Sequence, residues 1–313
     1  MTIDVLSIGA FPEATNTELA SRFAVTRHFN RPAPELLSAE LRGRIRGIAT
    51  EANRGADRAL IMALPKLEII CVFGVGTDNI DLAAARERNI PVTNTPGILT
   101  DEVADLAIGL MLSSARQIIF ADRYVRDGSW RSKGPIPLGR SVGGKTLGVL
   151  GLGGIGRAIA DRGAAFRMRV IYHGPRRKDD APYEYVDDLI GLAQQSDYLM
   201  VACKGGPDTR HLVSAAVIDA LGPKGTLINV ARGSVVDEPA LIAALAEGRL
   251  GHAALDVFES EPVPSPEVLK LPNVIVQPHH GSATLETRTA IGQLMIDNLS
   301  AYFAGKPLLT PAG

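Results

Sequence analysis

The sequence predicts an α/β protein with parallel sheets, divided into two domains. Three observations carry that expectation. Short apolar runs alternate with helical patterns along nearly the whole chain, the signature of strands joined by crossover helices. The strand candidates of the second half are unbroken apolar runs of four to six residues, as required when helices cover both faces of a sheet. Finally, 313 residues suffice for about two domains, and one βα series stands on either side of a Gly-, Pro- and Ser-rich stretch.

The first series runs IDVLSIG, PEATNTELASR, FAVTRHF, IRGIAT, ADRALIMAL, LEIICVFG, DLAAARER and IPVTNTPG. A stretch from Asp101 to about Arg126 then reads as one long helix, with Asp101 and Glu102 where a helix N-terminus favours acids. Its apolar residues fall on more than one face, which calls for burial on all sides. The next 19 residues, DGSWRSKGPIPLGRSVGGK, read as a loop. From Thr146 the second series follows: TLGVLGLGGIGRAIADRGAAF, RVIYHG, VDDLIGLAQQS, DYLMVAC, VSAAVIDAL, GTLINVA, DEPALIAALAEG, HAALDVF and NVIVQPH. Residues from about Leu285 to Ala304 are helical again, and no repeat or low-complexity tract interrupts the chain.

Composition narrows the function. Apolar residues make up 46% and charged residues 21%, values typical of a globular protein. A net charge of −1 gives no basic excess for nucleic acid or an anionic membrane. The first 21 residues carry no Lys or Arg, so no signal-peptide n-region is expected. The longest weakly polar run, Thr146 to Gly156, has 11 residues, short of the ~18 that span a bilayer. Cytoplasm is therefore the expected compartment. Two cysteines, Cys71 and Cys203, exclude a disulfide framework or a four-ligand zinc site, and both read as small buried hydrophobes. No metal site is expected.

TLGVLGLGGIGRAIA is a strand, a turn and a helix, with Gly151, Gly153 and Gly156 filling G-x-G-x-x-G. A tight turn, close approach of backbone to a pyrophosphate and tight helix packing each require a missing Cβ, and the helix N-terminus attracts phosphate charge. Such a turn alone is a weak signal; its place between an apolar strand and a helix, with a second strand following, is what makes it one. NAD-specific sites carry a carboxylate about 20 residues on, for the ribose 2′-hydroxyl. Here that place holds His173, and Arg176, Arg177 and Lys178 follow immediately. Planar donor forks suit a 2′-phosphate, so NADP(H) is the expected cofactor. Against this stands a plain solvated basic loop, which Asp179 and Asp180 would partly neutralise.

INVARGSVVDE, ALDVFESEP and VQPHHGSAT concentrate charged side chains after later strands. In an open α/β sheet, ligands lie beyond those strand ends. Arg232 offers a bidentate fork for a carboxylate, or is merely a surface arginine on a turn. A glutamate and a histidine could form an acid/base pair, but spacing chooses neither between Glu259 and Glu261 nor between His279 and His280.

These segments, with FGVGTDNIDL, NTPGILTDEVADLAIGLML and the closing GKPLLTP, resemble the D-isomer-specific 2-hydroxyacid dehydrogenase family, particularly its glyoxylate/hydroxypyruvate and hydroxyphenylpyruvate reductase branch. The resemblance implies two flavodoxin- or Rossmann-like domains. The cofactor domain, residues 98–282 with a dimerisation helix, would be inserted into a substrate domain of residues 1–97 and 283–313, to which the C-terminal helix returns.

It assigns the catalytic set to Arg232, Glu261 and His279, leaves Glu259 variable, and puts His280 where an apolar residue is usual. Arg232 and the backbone amides of Val75 and Gly76 would bind the substrate carboxylate, and Trp130 would close a substrate pocket, from the neighbouring subunit in some members. Trp130 could equally be an ordinary buried aromatic. Asp256 would meet the nicotinamide carboxamide. Further cofactor contacts are expected from Thr100, from Leu152, Gly154 and Ile155 among the turn residues, from Gly174 beside His173, from Cys203, Pro207 and Thr209, from Val230 and Ala231, and from His279 and Gly281. The chain departs from the commoner pattern at Lys204 and Gly206, where a proline and a threonine are usual, so that Gly205 and Gly206 would loosen this loop.

The implied reaction is reduction of a small 2-oxo acid such as glyoxylate or hydroxypyruvate, by a homodimer. Reduction of aromatic 2-oxo acids is the alternative within enzymes. A dinucleotide-sensing binding protein is the alternative outside them, and one that could dispense with the Arg232, Glu261 and His279 set.

Overall fold

A computed structural model describes residues 2–312. The chain forms two compact units, Met1–Leu99 with Ser282–Gly313, and Thr100–Gly281.

In the first unit, β1 (Asp4–Ile8), β2 (Ala24–His28), β3 (Ile45–Glu51), β4 (Ile69–Phe73) and β5 (Val92–Thr93) form a parallel sheet in the order β2-β1-β3-β4-β5. All five residues of β4 are buried, as a strand covered on both faces must be. The helix Leu285–Phe303 belongs to this unit: a side chain at Gly47 of β3 would stand 3.2 Å from Leu299 and 3.4 Å from Phe303. After it the chain returns to β5, where the Ala312 amide donates to the Val92 carbonyl at 2.8 Å.

The second unit has seven parallel strands: β6 (Thr146–Leu150), β7 (Arg169–His173), β8 (Glu184–Tyr185), β9 (Tyr198–Val201), β10 (Thr226–Asn229), β11 (His252–Leu255) and β12 (Val274–Val276), in the order β12-β11-β10-β9-β6-β7-β8. Chain order reverses between β6 and β9, and such a switch point opens a crevice at the strand ends. Its core is a continuous apolar cluster that includes Leu150, Leu199, Leu227 and Leu255 from neighbouring strands.

Three local expectations are corrected. The segment from Asp101 to Arg126 is not one helix. It forms Thr100–Ala115 and Ile118–Arg126, bent by 60° about Gln117, whose φ is 54°. The cause is tertiary: the Ala115 carbonyl accepts from the returning Arg140 amide at 2.7 Å instead of extending the helix. Second, the segment read as a loop contains a short helix, Ser129–Lys133, in which Trp130 is 62% exposed and so is no buried aromatic. Third, only Cys71 is fully buried; Cys203, just past β9, is half-buried. Burial pushes the Cys71 thiol up to about 12 and that of Cys203 to about 11, so neither is a ready nucleophile. Among the described residues no single helix is long and apolar enough to cross a membrane.

Candidate active site

The glycine turn lies at the switch point, and two of its three glycines answer a steric demand of the protein's own backbone. Gly151, at φ 93°, ends β6 so close to β9's extension that a Cβ would stand 2.6 Å from Cys203 Cα. A Cβ on Gly156 would stand 1.9 Å from the Gly151 carbonyl oxygen, which keeps the helix Gly154–Ala165 tight on the turn. Gly153 is different, because nothing lies within 4 Å of its missing side chain. That open space adjoins a helix N-terminus with no side-chain cap, whose amides are free to face an anion. Thr100 stands beside it, its hydroxyl 3.7 Å from where a Gly154 side chain would begin. Leu152 is buried and Ile155 half-buried beneath the turn.

No acid closes β7. His173 ends the strand with Nδ1 2.8 Å from the Val186 carbonyl, and its ring stacks on Tyr185. The following basic loop is held at several points: the Tyr185 hydroxyl donates to the Gly174 carbonyl at 2.9 Å, and the Lys178 amide donates to the Tyr172 hydroxyl at 2.7 Å. Asp180 pairs with Arg157 at 2.8 Å. It is therefore engaged by the helix, while Arg176 and Arg177 are exposed and have no acidic partner among the described residues. The loop after β9 is not slack: the Thr209 hydroxyl donates to the carbonyls of Lys204 and Gly206 at 2.8 and 3.2 Å, and Gly206, at φ 142°, takes a backbone that favours glycine. Pro207 opens its short 3₁₀ turn.

The ambiguity among acids and histidines is resolved by distance. His279 Nδ1 lies 2.7 Å from Glu261 Oε2, while Glu261 Oε1 accepts from the Phe258 amide at 3.1 Å. Glu259 instead accepts from Arg210 Nη2 and meets His211 Nε2, each at 2.8 Å. Burial pushes the Glu261 carboxyl up, but the His279 bond and charge, the Phe258 amide and the Arg232 charge outweigh it and hold the group below the ordinary carboxylate range. Arg232 is thus electrostatically part of this set. It follows β10, where Asn229 fixes the turn by accepting from the Ala231 amide at 3.0 Å and donating to the Arg232 carbonyl at 2.9 Å; Val230 and Ala231 are buried.

Asp256 is 2% exposed and accepts three successive amides: His279 on its carbonyl at 2.8 Å, and His280 and Gly281 on its carboxylate at 2.5 and 2.9 Å. Val75 and Gly76 lie in the first unit, after β4, where Gly74 has φ 137° and the Asn94 side chain donates to the Val75 carbonyl at 2.7 Å.

Known proteins resemble this chain in sequence and fold. Residues 108–281 match the D-isomer specific 2-hydroxyacid dehydrogenase, NAD binding domain family. The chain belongs to that family. This dehydrogenase is 48% identical over 310 residues to glyoxylate/hydroxypyruvate reductase A of Arabidopsis thaliana, covering 99% of each chain. It is 47% identical over 309 residues to the hydroxyphenylpyruvate reductase of Plectranthus scutellarioides, covering 99% of this chain and 98% of that one. Among solved structures, the NADPH-dependent glyoxylate/hydroxypyruvate reductase of Sinorhizobium meliloti, in complex with NADP and malonate, matches with a TM-score of 0.95 at 41% identity, covering 100% of this chain and 97% of that one.

Sequence reading of this dehydrogenase missed the residues that hold others in place. Asn229 was signalled only as a polar residue closing an apolar strand. Arg157, Tyr172 and Tyr185 gave no signal at all, because their partners are 6 to 23 residues away in separate elements.

Proposed function

We propose that this dehydrogenase reduces a small 2-oxo acid of the glyoxylate and hydroxypyruvate type to the D-2-hydroxy acid, with NADPH. The observation that carries the reading is the His279–Glu261 pair beside Arg232, in the same unit as the glycine turn. Arg232 binds the substrate carboxylate through its planar fork and polarises the adjacent carbonyl. His279, protonated, gives its proton to the carbonyl oxygen, and the ionised Glu261 orients the ring and stabilises its charge. The reverse reaction needs neutral His279 as base.

The residues present fit a phosphorylated dinucleotide: open space over Gly153, an uncapped helix N-terminus, and, where an NAD site would carry an acid, two exposed guanidiniums with no acidic partner among the described residues. When bound, that cofactor supplies the hydride. The similar reductase of Sinorhizobium meliloti is NADPH-dependent, which supports the same cofactor. Two free cysteines fit a reducing compartment, and the cytoplasm is the one proposed.

Initial rates of NADPH and NADH oxidation with glyoxylate, hydroxypyruvate, pyruvate and 4-hydroxyphenylpyruvate, side by side, test the reading. Fastest turnover is expected for NADPH with glyoxylate or hydroxypyruvate. A higher kcat/KM for 4-hydroxyphenylpyruvate would move the function to aromatic substrates, and no turnover with any of them would leave a binding protein.

A further inference from the structure

Glu259 sits where three loops of the second unit meet, and it takes no part in the chemistry proposed above. Its Oε1 is 2.8 Å from both Arg210 Nη2 and His211 Nε2, which end the loop that follows β9. Its amide donates to Glu238 Oε2 at 3.0 Å, and Glu238 is 7% exposed at the start of the helix Glu238–Ala246. The third loop is the one that carries Arg232. A Cβ on Gly233 would stand 1.8 Å from the Phe258 carbonyl carbon and 2.3 Å from the Glu259 nitrogen, so the two backbones are in direct contact. His211 also reaches that loop, its amide donating to the Ser234 carbonyl at 2.8 Å despite a left-handed φ of 51°. Two residues further along the chain from Glu259 is Glu261, the partner of His279.

We propose that Glu259, clasped by Arg210 and His211, is a positioning residue that locks the loop bearing Pro207 and Thr209 to the loops bearing Arg232 and Glu261, so that seating of the cofactor and alignment of the catalytic groups are coupled. The inference rests on the functional reading above. Exposed ion pairs contribute little to stability. Here the same bonds join segments 48 and 49 residues apart at a side chain 24% exposed, and what they set is register, to which catalysis is far more sensitive than folding is.

The experiment measures the Kd of NADPH by fluorescence titration and kcat with glyoxylate, in the unmodified protein and in four variants. Glu259→Ala should lower kcat about tenfold and weaken NADPH severalfold, with Tm lowered by only a few degrees. Glu259→Gln keeps an acceptor oxygen and should recover most of both losses. His211→Ala should reproduce part of the effect, and Glu259→Ala combined with His211→Ala should be no worse than Glu259→Ala alone, because the two act through one contact. Unchanged kcat and Kd in Glu259→Ala would overturn the proposal, and so would a double variant whose loss is the product of the single losses. Failure of the functional reading is seen elsewhere, in the unmodified protein, as no NADPH binding and no turnover; that outcome would overturn the coupling as well.

Discussion

His279 has a φ of 53°, a backbone that non-glycine residues adopt at a cost of about 1–3 kcal/mol unless the surroundings hold them there. Asp256 does so by accepting the amides of residues 279, 280 and 281, which turns the chain and presents the imidazole to Glu261. Because Glu261 titrates below the ordinary 4.5, its stabilising contribution should be full above about pH 4.5 and fade as pH falls through its folded value. Urea unfolding should therefore show the advantage of the native protein over Glu261→Gln at pH 7, and a shrinking one as the pH is lowered below 4.5. In catalysis, the same variant removes the carboxylate that orients the His279 ring, so kcat should fall in both directions, and a larger loss in Glu259→Gln than in Glu261→Gln would exchange the two roles. His279→Asn should reduce kcat in both directions by the ~10² to 10⁴ of a lost acid or base, whereas His280→Asn should do far less. Arg232→Lys keeps the charge but loses the planar fork, so kcat/KM for the oxo acid should collapse; near-native kinetics would place Arg232 outside the site.

At the scale of elements, the glycine turn separates a folding demand from a binding demand. Gly156→Ala must push a methyl group against the Gly151 carbonyl and should cost about 1–3 kcal/mol of stability, read as a lower Tm. Gly153→Ala meets no side chain or backbone of a distant segment within 4 Å and has an ordinary φ of −82°. It should fold with an unchanged Tm yet weaken NADPH binding, and intact affinity would show that the open space is not where the pyrophosphate lies. The basic loop after β7 makes a complementary test. Arg176→Ala with Arg177→Ala should weaken NADPH by roughly 10- to 100-fold for each charge-assisted bond lost, and leave NADH nearly untouched. Equal losses for both cofactors would assign the arginines to the pyrophosphate or to folding.

For the whole molecule, the helix Ile118–Arg126 has no buried residue, and it and the segment after it expose Ile118, Phe120, Val125, Trp130 and Leu138, the last at 95%. Single exposed apolar residues are ordinary, but five within 21 residues are the feature that supports an interface. We propose a homodimer through this face. Sedimentation at micromolar concentration should give twice 33.2 kDa, and Phe120→Asp with Trp130→Asp should give the monomer. A native protein that sediments as the monomer would remove the claim.

The sequence by itself determined the alternation of strands and helices, the glycine turn after β6, and the order of the segments bearing Arg232, Glu261 and His279. Periodicity and backbone demands act within a few residues, so they can be read along the chain. Its spacing did not decide whether Glu261 or Glu259 meets His279, which only the family resemblance assigned, nor did it show that Arg157 claims Asp180 and leaves Arg176 and Arg177 with no acidic partner among the described residues, or that the helix begun at Thr100 breaks at Gln117. Each of these depends on which distant loop arrives beside the residue: Arg210 and His211 at Glu259, the glycine-turn helix at Asp180, Arg140 at the Ala115 carbonyl. A charged or polar group pairs with whatever the fold brings within about 3 Å of it, and only the tertiary structure decides what that is.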